Sequence, residues 1–227
     1  MRYRYDKPIE IKRSLKYGNN YYIFHSPKLG RSVTAYSNLE FYNLIALEMN
    51  HDVEWYCEQP VKAQLYDPLG HSEVCIPDVY IYYRNGAEEI QEVKYSFEYE
   101  GDGTETARAW GQRRREERWS RENGMAFSVR TEKEIIIGKS VQNLRYLCSR
   151  LRTGRIPGAE LREKMQRYAT PISTGVTLID ISDYTGMPLG VIIDCAAYMY
   201  WNGEIDIPDV FSDTALNKNS RITVKEG

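Results

Sequence analysis

Asp78, Glu92 and Lys94 set two carboxylates and an ammonium close together along this chain. Asp78 belongs to "IPDV", a tetrapeptide found at Ile76-Pro77-Asp78-Val79 and again at Ile207-Pro208-Asp209-Val210, each copy followed by an aromatic residue. After the first copy the run "VYIYY" leads into Arg84-Asn85-Gly86, and Asn-Gly is the strongest short signal for a tight hairpin. The returning strand, "EEIQEVKYSF", carries Glu92-Val93-Lys94. Strand residues two apart share a face at roughly 6–7 Å, so Ile90, Glu92 and Lys94 point one way and Gln91, Val93 and Tyr95 the other. The hairpin then brings Asp78 across to Glu92. Two carboxylates plus the Val93 carbonyl make an oxygen-ligand site suited to Mg²⁺, with Mn²⁺ as a substitute. Such an ion keeps waters for a phosphate and a nucleophile. Lys94 would orient or deprotonate the attacking water, or neutralise charge growing on the phosphate. The expected setting is a solvated one. The plain alternative is a surface ion pair between Glu92 and Lys94, worth about 0.2–1 kcal/mol.

The second IPDV is followed by "FSDTALNKNSRITVKEG", with no acidic-x-lysine strand. Its Asp209 is expected to mark a turn. A third acid is expected on a helix preceding the sheet, where Glu40 stands. Ser37-Asn38-Leu39-Glu40 is also an S-x-x-E capping box, in which Glu40 would bond back to the Ser37 amide. Residue chemistry leaves both uses open.

The elements that must position these groups can be read along the chain. "YSNLEFYNLIALEMN" predicts a helix capped by Ser37, with Leu39, Tyr42, Ile45 and Met49 at helical spacing. Strands are expected at "DVEWYCEQ", "VKAQLYD" and "EVCIPDVYIYY", with turns at Gly18-Asn19-Asn20 and Asp67-Pro68-Leu69-Gly70. A helix from about Thr104 to Asn123 is closed by Gly124, "MAFSVRTEKEIII" predicts a strand, and "SVQNLRYLCSRLR" predicts a helix. Strands and helices in this order indicate an α/β (α+β) core. A break near Thr153-Gly154-Arg155-Ile156-Pro157-Gly158 opens a second region. There "AELREKMQRYA", "TLIDISDYTG" and "MPLGVIIDCAAYMYWNG" predict helices and "EIDIPDVF" a short strand, a helix-turn-helix with a wing. The expected domains are 1–168 and 169–227.

Composition narrows the function classes. The chain has 227 residues, 42% of them hydrophobic, and a net charge of −2, which suits a globular protein. No apolar run approaches the roughly 18–20 residues needed to span a bilayer, and "MRYRYDKPIE" lacks the apolar core of a signal peptide. The four cysteines form no C-x-x-C pair, and no His is spaced to complete a zinc site. They are expected to be reduced, packed thiols. The charge is divided: "GQRRREERW" supplies Arg113, Arg114, Arg115 and Arg118 on one helix, suited to DNA phosphate or simply to solvating that helix. From Thr177 to Phe211 there is no Lys or Arg, while acids are frequent. That segment is expected to bind a protein partner and not DNA. Val191, Ile192, Tyr198, Met199, Tyr200 and Trp201 are expected to leave apolar surface there.

"RSVTAYSNLEFYNLIALEMNHDVEWYCEQPVKAQLYD", "IPDVYIYYRNGAEEIQEVK" and "FSVRTEKEIIIGKSVQNLRYL" together resemble the TnsA endonuclease subunit of heteromeric DNA transposases. The shared pattern is an S-x-x-E helix, a strand ending in Gln-Pro, P-D, E-V-K, and a terminal V-x-T-E-x-E-I element, over about Arg31 to Leu147. The C-terminal end fits that family more loosely. The resemblance implies a restriction-endonuclease-like PD-(D/E)xK core with a small C-terminal winged-helix or helix-turn-helix-like domain. It also implies Mg²⁺-dependent cutting of the 5′, non-transferred strand at transposon ends. Glu40, Asp78, Glu92 and Lys94 become the catalytic positions, and Glu40, Asp78, Glu92 and Val93 the metal ligands. Gln59 and Gln91 become supporting residues, although a strand-end hydrogen bond would equally explain Gln59. The implied partners are transposon-end DNA, a TnsB-type transposase and a TnsC-type AAA+ regulator. The implied location is the bacterial cytoplasm, on the nucleoid when assembled. A free-standing restriction or junction-resolving nuclease, or a non-catalytic DNA-binding adaptor, are the competing functions.

Overall fold

The computed structural model describes residues 3–10, 20–66, 69–100, 103–151 and 156–225. Gly18 and Asn19 of the expected turn, the first half of the Asp67–Gly70 turn and residues Thr153–Arg155 of the expected break lie outside these residues. Two compact units emerge, 1–47 with 52–135 and 48–51 with 136–227. The expected boundary at 168/169 therefore falls inside the second unit.

The first unit opens with an antiparallel hairpin, β1 (Tyr22–Ser26) and β2 (Arg31–Ala35), in a segment where the sequence shows no clear pattern. Helix α1 (Asn38–Met49) follows, then β3 (Val53–Glu58), β4 (Ala63–Tyr66), β5 (Ser72–Cys75), β6 (Val79–Tyr83) and β7 (Glu88–Val93). Next come α2 (Thr104–Glu122), β8 (Ala126–Arg130) and α3 (Glu132–Ile135). The main sheet has the order β3-β6-β7-β8, antiparallel except for the β7/β8 pair. A parallel pair needs a long crossover, and α2 supplies it.

Two helices cover the two faces of β7. Leu39 of α1 packs with Val93 and Ile135 on one side. Trp119 of α2 packs with Cys57, Tyr80, Ile90 and Met125 on the other. Ile90 is fully buried, and burying such a side chain contributes about 1.5–3 kcal/mol. The hairpin between β6 and β7 turns at Gly86, whose φ of +86° suits glycine. Val79 pairs with Gln91 and Tyr80 with Ile90, so continuing the register sets Asp78 opposite Glu92, as the hairpin signal predicts.

Two strand expectations are corrected. "EVCIPDVYIYY" is broken at Ile76-Pro77: β5 pairs with β4, and only β6 joins the main sheet. Proline brings no N–H to a ladder, which favours such a break. "MAFSVRTEKEIII" is a strand only to Arg130. Thr131 then starts α3, its N–H donating to Glu134 Oε2 at 2.7 Å while its Oγ1 accepts from the Lys133 N–H at 3.3 Å. T-x-x-E is a capping signal, and here it overrides the β propensity of the isoleucines.

The second unit contains α4 (Ser140–Leu151), α5 (Ala159–Ala169), β9 (Val176–Thr177), α6 (Leu178–Thr185), α7 (Leu189–Asn202), β10 (Ile205–Asp206) and β11 (Arg221–Val224). Its small antiparallel sheet has the order β10-β11-β9. Thr177 and Asp180 cap α6 reciprocally, and Gly186 at φ +69° makes the turn toward α7. The expected helix, turn, helix and short strand are thus all present. Helix α4 packs on α7, and α5 on α6 and α7. Arg150 pairs with Asp194 at 2.6 Å and Arg162 with Glu204 at 2.7 Å. These contacts draw α4 and α5 into this unit. The second IPDV forms a 3₁₀ turn over Pro208–Phe211, and Asp209 Oδ2 accepts from the Arg221 N–H at 3.0 Å. That copy is structural. Ile192 and Met199 are fully buried; between Thr177 and Phe211 the exposed large apolar side chains are Tyr184, Met187, Val191 and Phe211, and Ile156 is the most exposed in the unit. Among the described residues no helix is long and apolar enough to cross a membrane.

Candidate active site

Asp78 stands where the chain enters β6, and its Oδ2 accepts the Val93 N–H at 2.8 Å. This bond crosses from one strand of the hairpin to the other and fixes the carboxylate beside Glu92. Lys94 extends β7, its N–H donating to the Arg130 carbonyl at 3.1 Å. Its Nζ lies 3.2 Å from Glu92 Oε1. The structure therefore brings Asp78, Glu92 and Lys94 together.

The setting is not the solvated one expected. Asp78 is 8% and Glu92 3% exposed, because α2 lies over this face of β7. Gln112 of α2 donates to Glu116 Oε1 at 2.8 Å and reaches Glu92 Oε1 at 3.5 Å. Glu116, only 1% exposed, faces the same site. Sequence reasoning missed it, weighing "RRREER" for its arginines alone, as contacts to DNA phosphate or a solvated face. The available signal was helical spacing, since Arg108, Gln112 and Glu116 are successive i,i+4 neighbours on α2. A cleft of about 330 Å³ is lined by Glu92, Lys94, Tyr99, Arg108, Arg113 and Glu116, among others.

Electrostatics follow from this burial. Desolvation pushes the Glu92 pKa well above the usual carboxylate range, with Asp78 and Glu116 adding to the rise and Lys94 opposing it. Glu116 is also raised, first by burial, against hydrogen bonds from Gln112 and the Cys75 thiol, with Asp78 raising it further. Burial alone would lower Lys94, but Glu92, Asp78 and Glu98 outweigh it and raise its pKa. Lys94 thus stays an ammonium at neutral pH. Glu92 Oε2 and Glu116 Oε2 are buried with no hydrogen-bond donor, an uncomfortable state for carboxylates that a divalent cation would relieve. By donor chemistry these residues fit such an ion. Among the described residues no group of three or more His, Cys, Asp or Glu side chains is already arranged to hold one.

Residues 50–132 match the family model described as TnsA-like endonuclease N terminal. This segment belongs to the TnsA-like endonucleases. No curated protein matches the chain. The TnsA-like segment includes Asp78, Glu92, Lys94, Gln112 and Glu116 and leaves Glu40 outside.

Glu40 sits in the first turn of α1. Its N–H donates to Ser37 Oγ at 3.1 Å, and its Oε2 accepts from the Tyr36 N–H at 3.0 Å. The carboxylate therefore reaches back one residue further than the expected Ser37 amide. Glu40→Gln separates capping from catalysis. Gln can still accept the Tyr36 N–H, so the melting temperature is expected to hold within about 0.5 kcal/mol of stability. Retained nicking by this variant would confine Glu40 to capping; a loss of about 100-fold or more would give it a role at the metal.

The remaining expected residues divide. Gln59 adopts a left-handed φ of +38°, and its N–H donates to the Asp78 carbonyl at 2.9 Å. That conformation costs a non-glycine residue on the order of 1–3 kcal/mol, and it ties the end of β3 to the residue that carries the carboxylate. Gln91 lies on the other face of β7, accepting from Asn43 Nδ2 of α1 and donating to Glu89, each at 3.1 Å. The four arginines do not form one surface either. Arg113 lines the cleft, Arg114 is exposed and Arg115 half-buried. Arg118 donates to the Tyr66 carbonyl of β4.

Proposed function

We propose that this chain is a metal-dependent DNA endonuclease subunit of a heteromeric transposase, cutting the 5′, non-transferred strand at transposon ends. The reading takes the first unit as a PD-(D/E)xK core of restriction-endonuclease type and the second as a winged-helix-like docking domain. The observation that carries it is the buried Asp78–Glu92–Lys94 constellation inside a TnsA-like endonuclease segment. Asp78, Glu92 and Glu116 would hold Mg²⁺ or Mn²⁺, with Glu40 and the Val93 carbonyl as the remaining ligands of the reading. The bound ion would supply positive charge for the phosphoryl oxygens and acidify a water. Lys94, held as an ammonium by three carboxylates, suits charge neutralisation on the scissile phosphate better than proton abstraction. Gln112 holds Glu92 and Glu116 in place through its amide. Arg108 and Arg113 line the same cleft and would receive the neighbouring phosphates.

The deciding experiment incubates the protein with labelled transposon-end DNA, Mg²⁺, a TnsB-type transposase and a TnsC-type regulator, and maps the nicked strand. Nicking of the 5′ strand only in the presence of the partners supports the reading. Efficient cutting without any partner makes it a free-standing nuclease, and no cutting with any divalent metal makes it an adaptor.

A second expected result concerns salt. Replacing Arg113, Arg114, Arg115 and Arg118 together by Ala should flatten the salt dependence of DNA binding. Each lost phosphate contact changes the log–log slope by about 0.9. Because Arg118 already serves a protein carbonyl and Arg115 is half-buried, we expect a change of about 2 rather than 4 contacts' worth. An unchanged slope would assign all four to solvating the helix.

The segment from about Thr170 onward is proposed to bind the regulator or the transposase, and not DNA. Two of its acids, Asp194 and Glu204, are neutralised by Arg150 and Arg162, but no cation lies between Thr177 and Phe211 to meet a phosphate.

A further inference from the structure

Trp110 is an unusual residue to find at the lip of a charged cleft. It lies on α2, and its Nε1 donates to the Tyr99 carbonyl at 3.3 Å. The Tyr99 ring meets it edge-on at 5.5 Å, and the Arg113 guanidinium stands 4.8 Å over its ring. Tyr99 and Arg113 both line the cleft that holds Glu92 and Lys94. These contacts hold the indole in place, yet 39% of Trp110 remains exposed. Phe97, in the 3₁₀ turn that carries the chain from Lys94 to Tyr99, is 68% exposed and stacked on Tyr95 at 5.6 Å.

Fixed, solvent-facing aromatics interleaved with arginines are the combination that binds unpaired nucleotides. The rings stack on base faces, and the guanidinium groups follow the backbone. A protein partner is a poorer match, because the Arg113 guanidinium lies over the indole and itself lines, with Arg108 and Tyr99, the polar cleft. We infer that Trp110, held by Tyr99 and Arg113, is a stacking platform for an unstacked nucleobase of the DNA strand whose phosphate enters the cleft. This rests on the nuclease reading above and deepens it: the preferred substrate is DNA locally unpaired beside the scissile phosphate, as at a frayed or distorted end.

The test uses the full chain in EDTA, so that no cutting intervenes. The probe is an oligothymidylate with one central 2-aminopurine, offered single-stranded and as a fully paired duplex. The expected result is tighter binding of the single strand with a change in 2-aminopurine fluorescence on binding. Trp110→Leu should weaken single-strand binding about 10-fold and abolish that change, whereas Trp110→Phe should keep most of both. Wild-type affinity in Trp110→Leu, an unmoved fluorescence signal, or equal affinity for the duplex overturns the inference. Nicking of transposon-end DNA without the fluorescence response would remove the stacking site and leave the nuclease reading intact. The response without nicking in Mg²⁺ or Mn²⁺ would do the reverse.

Discussion

Asp78→Asn, Glu92→Gln and Lys94→Met are each expected to lower strand nicking by about 10²–10⁴-fold, the usual scale for losing a group that stabilises charge or handles a proton at the reacting centre. The amide and thioether replacements matter because the site is buried. Asp78 accepts the Val93 N–H, and alanine would leave that donor unpaired at about 1–3 kcal/mol, confusing misfolding with lost chemistry. Asparagine can still accept the bond but cannot supply a charged oxygen to a hard cation. Glu116→Gln should also depress nicking, by about 10-fold or more if Glu116 shares the cation. Asp209→Ala, in the second IPDV, should nick normally. The assay is quantitative end-labelling of nicked DNA at saturating metal. Near wild-type rates in any of the first three would remove that residue from the site.

Glu92→Gln should also stabilise the metal-free protein, and in a pH-dependent way. The Glu92 pKa is raised in the folded state by burial, by Asp78 and by Glu116. Below the unfolded value of about 4.3 the carboxyl is protonated in both states, and the wild type keeps its full stability. As pH rises past that value the unfolded chain ionises first, so stability is lost until the folded pKa is passed. Gln removes this loss. The variant's advantage should therefore be absent near pH 4 and grow toward neutrality, reaching about 1–2 kcal/mol, or a few degrees in Tm. The variant also takes one carboxylate from Lys94, which keeps Asp78 and Glu98 as charge partners, so Glu92→Gln is compared with Lys94→Met at each pH. Adding Mg²⁺ should invert the order, raising the Tm of the wild type more than that of Glu92→Gln. A constant difference in Tm from pH 4 to 8, with no response to Mg²⁺, would show that Glu92 is not a strained, metal-seeking carboxylate.

Short-range chemistry made much of this legible in the chain itself. Asn85-Gly86 sets a tight turn, a tight turn sets the strand register, and the register puts Asp78 opposite Glu92 with Lys94 on the same face. The Ser37 cap, the limits of α2 and the α6–Gly186–α7 turn are likewise written within a few residues of where they act. The difference between the two IPDV copies was also readable, because only one precedes an acidic-x-lysine strand. Tertiary packing decided what burial decides. Trp119 packs against Tyr80 and Ile90 and orients α2, which turns Gln112 and Glu116 inward over β7. That rotation converts an acid within an arginine run into part of the site and helps to raise Glu92. The same rotation divides the four arginines, sending Arg113 to the cleft and Arg118 to a β4 carbonyl. Helical periodicity can say which residues share a face, but only the packed partner determines which face is turned inward.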